Sequence, residues 1–259
     1  MSHAHLTDEA FWDEYWASLR LPLEIDPASN FLVGEIAASF ERFLPPAPRR
    51  SVLEVGGAPG QYAAFVARRL GHAVTIFDSS PVGCEKAREN FELLGLQAEV
   101  VEGDMFDPPP ALPKFDAVYS LGLIEHFEDV TAAVRAHVQL TAPGGLLLLG
   151  VPNLAGINGR LMRRLSPEFL SKHHIRATHV ATWDRFERDL GLERLFRGHI
   201  AGFDPSMFWR CESRRFVDRV LAGLLRRTWS FAEWKRARAL RRVNGAGWSA
   251  YLLGAYRVG

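Results

Sequence analysis

Three carboxylates recur at the same kind of place in this 259-residue chain: Glu54 within SVLEV, Asp78 closing AVTIFD, and Asp104 closing AEVVEGD. Each sits at or near the end of a short apolar run that reads as a buried strand. Behind Glu54 comes GGAPG (56–60), then Tyr62, Phe65, Val66 and Leu70 at helical spacing until Gly71. Gly56 and Gly57 allow a sharp turn, and Pro59 suits the first turn of a helix. A strand, a glycine turn and a helix form the ligand-binding corner of a wound α/β sheet. Two phosphate-binding versions fail. A dinucleotide fingerprint needs glycines where Ala58 and Gln61 stand, and a P-loop needs Lys-Ser/Thr where Gln61-Tyr62 stands. A carboxylate two residues before the turn repels phosphate and welcomes a cation.

A second set of residues offers proton chemistry. The run FDAVYSLGLIEHF (115–127) ends on Glu125 and His126. An imidazole titrates near neutrality, so His126 is a general base or an orienting group. His173 and His174 form a pair, but no carboxylate stands at metal-triad spacing beside them, and no metal is expected. They line a substrate pocket or lie on the surface. Asn153 closes GLLLLGVPN, and Trp12 and Tyr15 belong to an aromatic stripe over 8–19 that includes Phe11, Trp16 and Leu19.

Positioning these residues requires alternating elements. Strands near 51–55, 73–78, 98–107, 115–121 and 143–153 alternate with helices near 61–70, 81–94 and 130–140, which describes a parallel, doubly wound sheet. Helices near 160–165, 167–171 and 182–190 lead to a strand at 192–202. Two basic helical stretches, 213–227 and 231–243, precede a last strand at 248–259. The expected fold is α/β and Rossmann-like, with seven strands: five parallel plus a C-terminal antiparallel pair. Its divisions are an N-terminal helical lid (1–48), a core (49–202), a basic helical insertion or cap (203–247) and the last strand.

Composition is that of an ordinary globular chain, 47% hydrophobic and 24% charged. Cys84 and Cys211 offer no disulfide framework, and Cys84 reads as a small buried side chain. No leader-like segment or membrane-length apolar run is present, so a cytoplasmic enzyme is expected. The net charge of +1 conceals an asymmetry, because residues 210–242 hold eleven Lys/Arg against three Asp/Glu.

S-adenosylmethionine has an ammonium and a sulfonium and no phosphate, and the residues resemble class I S-adenosylmethionine-dependent methyltransferases. Over about 50–202 the motif order is similar to the small-molecule group of that superfamily, including the Glu-His pair and the VPN ending. EVGGAPG departs from the usual acid-x-Gly-x-Gly-x-Gly at Ala58. The resemblance implies S-adenosylmethionine as cofactor. It places Glu54, Gly56, Gly57, Ala58 and Gly60 under the methionine part, and Asp78 with Ser79 on the ribose hydroxyls. Asp104 and Met105 would hold the adenine, and the carbonyls of Ser120 and Leu121 the ammonium. Asp78 also reads as a helix cap, and Asp104 as a turn carboxylate before Pro108.

The implied activity is methyl transfer to an oxygen or nitrogen of a small organic metabolite, with His126 as catalytic base and Trp12, Tyr15, Asn153, His173 and His174 near the substrate. The alternatives are a methyltransferase acting on RNA or protein docked through 210–242, and a non-catalytic regulator that binds the cofactor. DNA is not an expected partner: DPPP (107–110) follows the third strand and lacks the aromatic residue of amino-methylating DNA enzymes. For 203–247 the first reading is a cap packed on the domain. The second is a surface that meets an anionic membrane or an acidic partner.

Overall fold

The apolar runs form β1 (Ser51–Val55), β2 (Ala73–Asp78), β3 (Glu99–Glu102), β4 (Phe115–Leu121), β5 (Thr141–Pro152), β6 (Glu193–Ile200) and β7 (Tyr251–Arg257). A computed structural model describes residues 6–7, 9–208, 212–232 and 243–259. The strands make one sheet, ordered β3-β2-β1-β4-β5-β7-β6. Neighbours from β3 through β5 pair in parallel, and β7 runs antiparallel to both β5 and β6. Chain order reverses between β1 and β4. That reversal opens a crevice at the carboxyl ends of the strands, where Asp78 and the glycine turn lie.

Helices cover both faces: α1 (Glu9–Ala17), α2 (Phe31–Phe43), α3 (Gln61–Phe65, continued by a π-turn over Val66–Leu70), α4 (Pro81–Leu94), α5 (Val130–Leu140), α6 (Gly156–Leu165), α7 (Pro167–Ser171), α8 (Val180–Asp189) and α9 (Phe216–Ala232). The pleat divides the core. Val52, Ile76, Tyr119 and Leu148 join Phe40 and Phe91 on one face. Leu53, Phe77, Val118 and Leu147 join Trp183 and Phe186 on the other. Strands buried on both faces read as unbroken apolar runs, so the sheet was visible in the sequence. Cys84 is buried, as expected.

Helix α2 was not expected within 1–48, although its signal is local. Asn30 caps it by accepting from the amides of Leu32 (2.8 Å) and Val33 (3.3 Å), and Ile36, Ala37 and Phe40 are buried at helical spacing. The expected aromatic helix is α1. It leans on α4, where the Ser80 hydroxyl donates to Asp13 at 2.5 Å and Gly83 leaves room for Trp16.

The insertion attaches through a third apolar cluster. Leu154, Met162, Leu165 and Phe208 pack with Ala222, and Leu221 and Leu225 lie against them. Of the two basic helical stretches, the first becomes α9; the second lies mostly at 233–242, outside the described residues.

Candidate functional site

The turn after β1 is built around Glu54. Gly56 adopts φ +64° and donates its amide to the Phe77 carbonyl at 2.7 Å. A Cβ at Gly57 would occupy the space taken by the Glu54 side chain, so that glycine is required by close packing. The Glu54 Oε2 accepts from the Ala63 amide at 3.1 Å. Burial pushes this carboxyl up to about 8. The Tyr119 hydroxyl lies near enough to favour the ionised form, though outside good hydrogen-bond geometry. Gly60, at φ +81°, caps α3 and lines neither of the two cavities at this corner.

Asp78 ties this turn to the next strand end. Its Oδ2 accepts from the Ala58 amide at 3.1 Å and its Oδ1 from the Ser80 amide at 2.9 Å. Burial raises its pKa, opposed by those bonds. Each carboxylate oxygen has a second lone pair, so the group can still accept from ligand hydroxyls. Asp104 is exposed, and its Oδ1 accepts from the Phe106 amide at 2.9 Å. This is a bond that a turn carboxylate makes, and the residue also stands at the cavity wall.

Two cavities meet at this corner. The first, about 800 Å³, is lined by Asp78, Ser79, Asp104 and Met105, with Glu102 added by the fold. The second, about 820 Å³, takes in Glu54, Gly57, Ala58, Leu121, Glu125 and His173. Its walls are aromatic: Tyr15, Trp16, Tyr62, Phe169 and Tyr251. Gly56, Trp12 and His126 line both. A ligand in the first cavity can therefore reach into the second at His126, under the edge of the Trp12 ring, whose centroid is 5.2 Å away.

His126 Nδ1 lies 2.8 Å from the Lys172 carbonyl, and His173 Nδ1 lies 2.8 Å from that of Phe169. Carbonyls only accept, so both Nδ1 atoms carry hydrogen and each neutral ring has its lone pair on Nε2. Burial lowers the pKa of His173 and pushes the Glu125 carboxyl up to about 8. Glu125 Oε2 has no hydrogen-bond partner among the described residues. One ligand atom from each of Glu125, His126 and His173 lies within 4.8 Å of the others, a spacing that could hold a divalent cation. This corrects the expectation that no carboxylate stands beside the paired histidines. The segment after β5 folds back over the turn after β4, a contact that linear spacing does not reveal.

Three further expectations differ from the structure. Asn153 is fully buried and lines neither cavity; its amide donates to the carbonyls of Ala246 (3.0 Å) and Ser249 (2.8 Å), so its side chain is bonded to the segment before β7. His174 lines neither cavity, and its backbone amide donates to the Glu125 carbonyl at 2.6 Å. Ser120 is fully buried inside β4 and also lines neither. Trp12, Tyr15 and His173 do line the second cavity. Sequence reading missed Lys172, whose ammonium stands 3.9 Å over the Phe11 ring, and Tyr251 from the far end of the chain.

Residues 52–145 match the family model described as a methyltransferase domain. The chain is 32% identical over 151 residues to the ubiquinone biosynthesis O-methyltransferase of Alkalilimnicola ehrlichii, covering 57% of this chain and 59% of that protein. It thus spans about three fifths of the length of that relative. It is 32% identical over 99 residues to the chloroplastic 2-methyl-6-phytyl-1,4-hydroquinone methyltransferase 1 of Oryza sativa subsp. japonica, covering 38% and 29%. Among solved structures, geranyl diphosphate C-methyltransferase from Streptomyces coelicolor, in complex with Mg2+, geranyl diphosphate and S-adenosyl-L-homocysteine, superposes with a TM-score of 0.65 at 14% identity, covering 99% of this chain and 100% of that one. The N-methyltransferase NodS of Bradyrhizobium japonicum gives 0.57 at 16%, covering 97% and 99%. At these identities the structural likeness is one of fold.

Proposed function

We propose that this chain, which belongs to the class I S-adenosylmethionine-dependent methyltransferase superfamily, transfers a methyl group to a hydroxyl oxygen of a small organic acceptor bound in the aromatic cavity. The observation that carries the reading is the meeting of the two cavities at Gly56, Trp12 and His126. One side has carboxylates suited to a cationic nucleoside, and the other is an aromatic chamber with imidazoles. Curated relatives named as O-methyltransferases favour oxygen over nitrogen.

When bound, S-adenosylmethionine supplies a methyl group on a sulfonium that leaves readily. The residues fit it. Asp78 and Ser79 would hold the ribose hydroxyls, and Asp104 with the Met105 amide the adenine. Glu54, a carboxyl kept largely neutral by burial until a cation arrives, would answer the ammonium together with the Gly56–Ala58 backbone and Leu121. The protein then contributes position: an acceptor in the second cavity faces the junction, and bringing two reactants into line removes much of the barrier.

His126 takes the proton of the acceptor hydroxyl on Nε2 while Nδ1–H stays on the Lys172 carbonyl, which keeps the ring in one tautomer and one orientation. Glu125, largely protonated at neutral pH, donates a hydrogen bond to the acceptor or its neighbouring oxygen. Trp12, Tyr15 and Tyr62 exclude water from the junction. The proposal gives the Glu125–His126–His173 cluster to proton transfer and orientation, without a metal. Incubation with isotopically methyl-labelled cofactor and parallel panels of phenols, quinols and amines tests the reading. Label on a hydroxyl oxygen supports it, label confined to amines moves the acceptor atom, and label on RNA or protein alone replaces it.

A further inference from the structure

Helix α9 carries two apolar faces, and the fold uses one of them. Leu221, Ala222 and Leu225 pack inward against Met162, Leu165 and Phe208. Asp218 lies on that inner side, 1% exposed, where it accepts from Arg164 Nε at 2.5 Å and from the Ser213 hydroxyl at 2.6 Å. This inner face is the one packed on the domain. The outer face is not: Phe216 is 74% exposed, Val217 63%, Val220 44% and Leu224 57%. At positions i, i+1, i+4 and i+8 they fall in one sector of the helix, roughly 100° wide. Seven large apolar side chains are at least 44% exposed among the described residues, and four of them share this stripe.

The charges beside the stripe have one sign. Arg214, Arg215, Arg219 and Arg227 are exposed, and within 213–227 the one carboxylate is the buried, paired Asp218. Helix α6 packs on α9 and adds the exposed Arg160 and Arg163, with Ile157 45% exposed. A nucleic acid would engage the arginines and leave the apolar stripe in water. An apolar stripe bordered by arginines is complementary to a surface with anionic headgroups over an apolar interior.

We infer that α9 is a docking helix for an anionic lipid bilayer: its arginines meet lipid phosphates, and Phe216, Val217, Val220 and Leu224 enter the headgroup–acyl boundary. No described helix is long and apolar enough to cross a membrane, so this contact is peripheral. It also adjoins the acceptor cavity. Glu212, just ahead of α9, accepts the amides of Glu168 (2.9 Å) and Phe169 (3.3 Å), and all three residues line that cavity. A lipophilic acceptor would enter from the bilayer; that consequence rests on the proposed methyl transfer, whereas docking does not.

The test is flotation of the full chain with vesicles of phosphatidylcholine alone and with phosphatidylglycerol added, at physiological salt. Binding should be at least about ten-fold stronger with the anionic lipid. It should fall about ten-fold both in Val217→Ser/Val220→Ser/Leu224→Ser and in Arg214→Glu/Arg215→Glu/Arg219→Glu. The melting temperature and S-adenosylhomocysteine affinity of both variants should match the parent, because the altered side chains face outward. Absence of binding to anionic vesicles overturns the inference. So does binding that survives loss of the apolar stripe, which would mark a general polyanion site. A serine variant that melts earlier, or that dissociates a dimer, overturns it too, because the stripe would then be covered by protein.

Discussion

The rings of His126 and His173 lie 4.6 Å apart, and the carbonyl that anchors His126 belongs to Lys172, the residue just before His173. The two imidazoles are therefore placed by one piece of backbone. Moving that segment moves both at once, which couples the shape of the second cavity to the orientation of His126.

His126→Ala should lower kcat by about 10²-fold or more and remove the acid limb of the pH–rate profile, with S-adenosylhomocysteine affinity unchanged. His173→Ala should chiefly raise KM for the acceptor, since this ring borders the cavity. Steady-state kinetics with a responsive acceptor separates the two. Dialysis against a chelator should leave the rate unchanged; a loss restored by one divalent cation would assign the Glu125–His126–His173 cluster to a metal.

Glu54 predicts a pH dependence of cofactor binding. Its folded-state carboxyl titrates at about 8, so the free protein holds it largely protonated at pH 7. A bound ammonium favours the ionised form, so binding releases a proton, and affinity should rise with pH until about 8 and then level off. Below that point the slope approaches about ten-fold per pH unit. Calorimetry in buffers of different ionisation enthalpy measures the proton released, and Glu54→Gln should flatten the profile.

Asp78→Asn preserves size but exchanges a charged acceptor for an amide. The loss falls on the ribose contacts and also on the bonds from Ala58 and Ser80 that hold the glycine turn. Affinity for S-adenosylhomocysteine should drop by about 1–3 kcal/mol. Unchanged affinity would remove Asp78 from the cofactor site.

Asn153→Ala should act on stability and not on substrate binding. It deletes a buried amide that donates to Ala246 and Ser249 and accepts from Ala155. Asn158 Nδ2 still donates to the Ser249 carbonyl at 2.9 Å, but the Ala246 carbonyl and the Ala155 amide lose their partner, which should cost about 1–3 kcal/mol in urea unfolding. KM for the acceptor should stay the same; a rise in KM at equal stability would return Asn153 to the pocket.

What the sequence determined by itself was the parallel sheet and its strand–glycine turn–helix corner. Val52, Leu53 and Val55 around Glu54, the apolar run ending at Asp78, and the Gly56–Gly57 turn are local signals, because strand burial and backbone freedom act over a few residues. Helix α2 was legible on the same terms, through Asn30 and the spacing of Ile36 and Phe40. Only the tertiary structure decided the second, aromatic cavity. Glu125, His173 and Tyr251 meet there from three separate segments, and no periodicity encodes which distant segments will pack together. The same limit applies to Asn153 and α9. In the sequence Val217, Val220, Leu221, Leu224 and Leu225 recur at helical spacing without distinction between them. Packing against Met162 and Phe208 divided them, because a helix surrounded by apolar side chains can bury only the side that finds a partner.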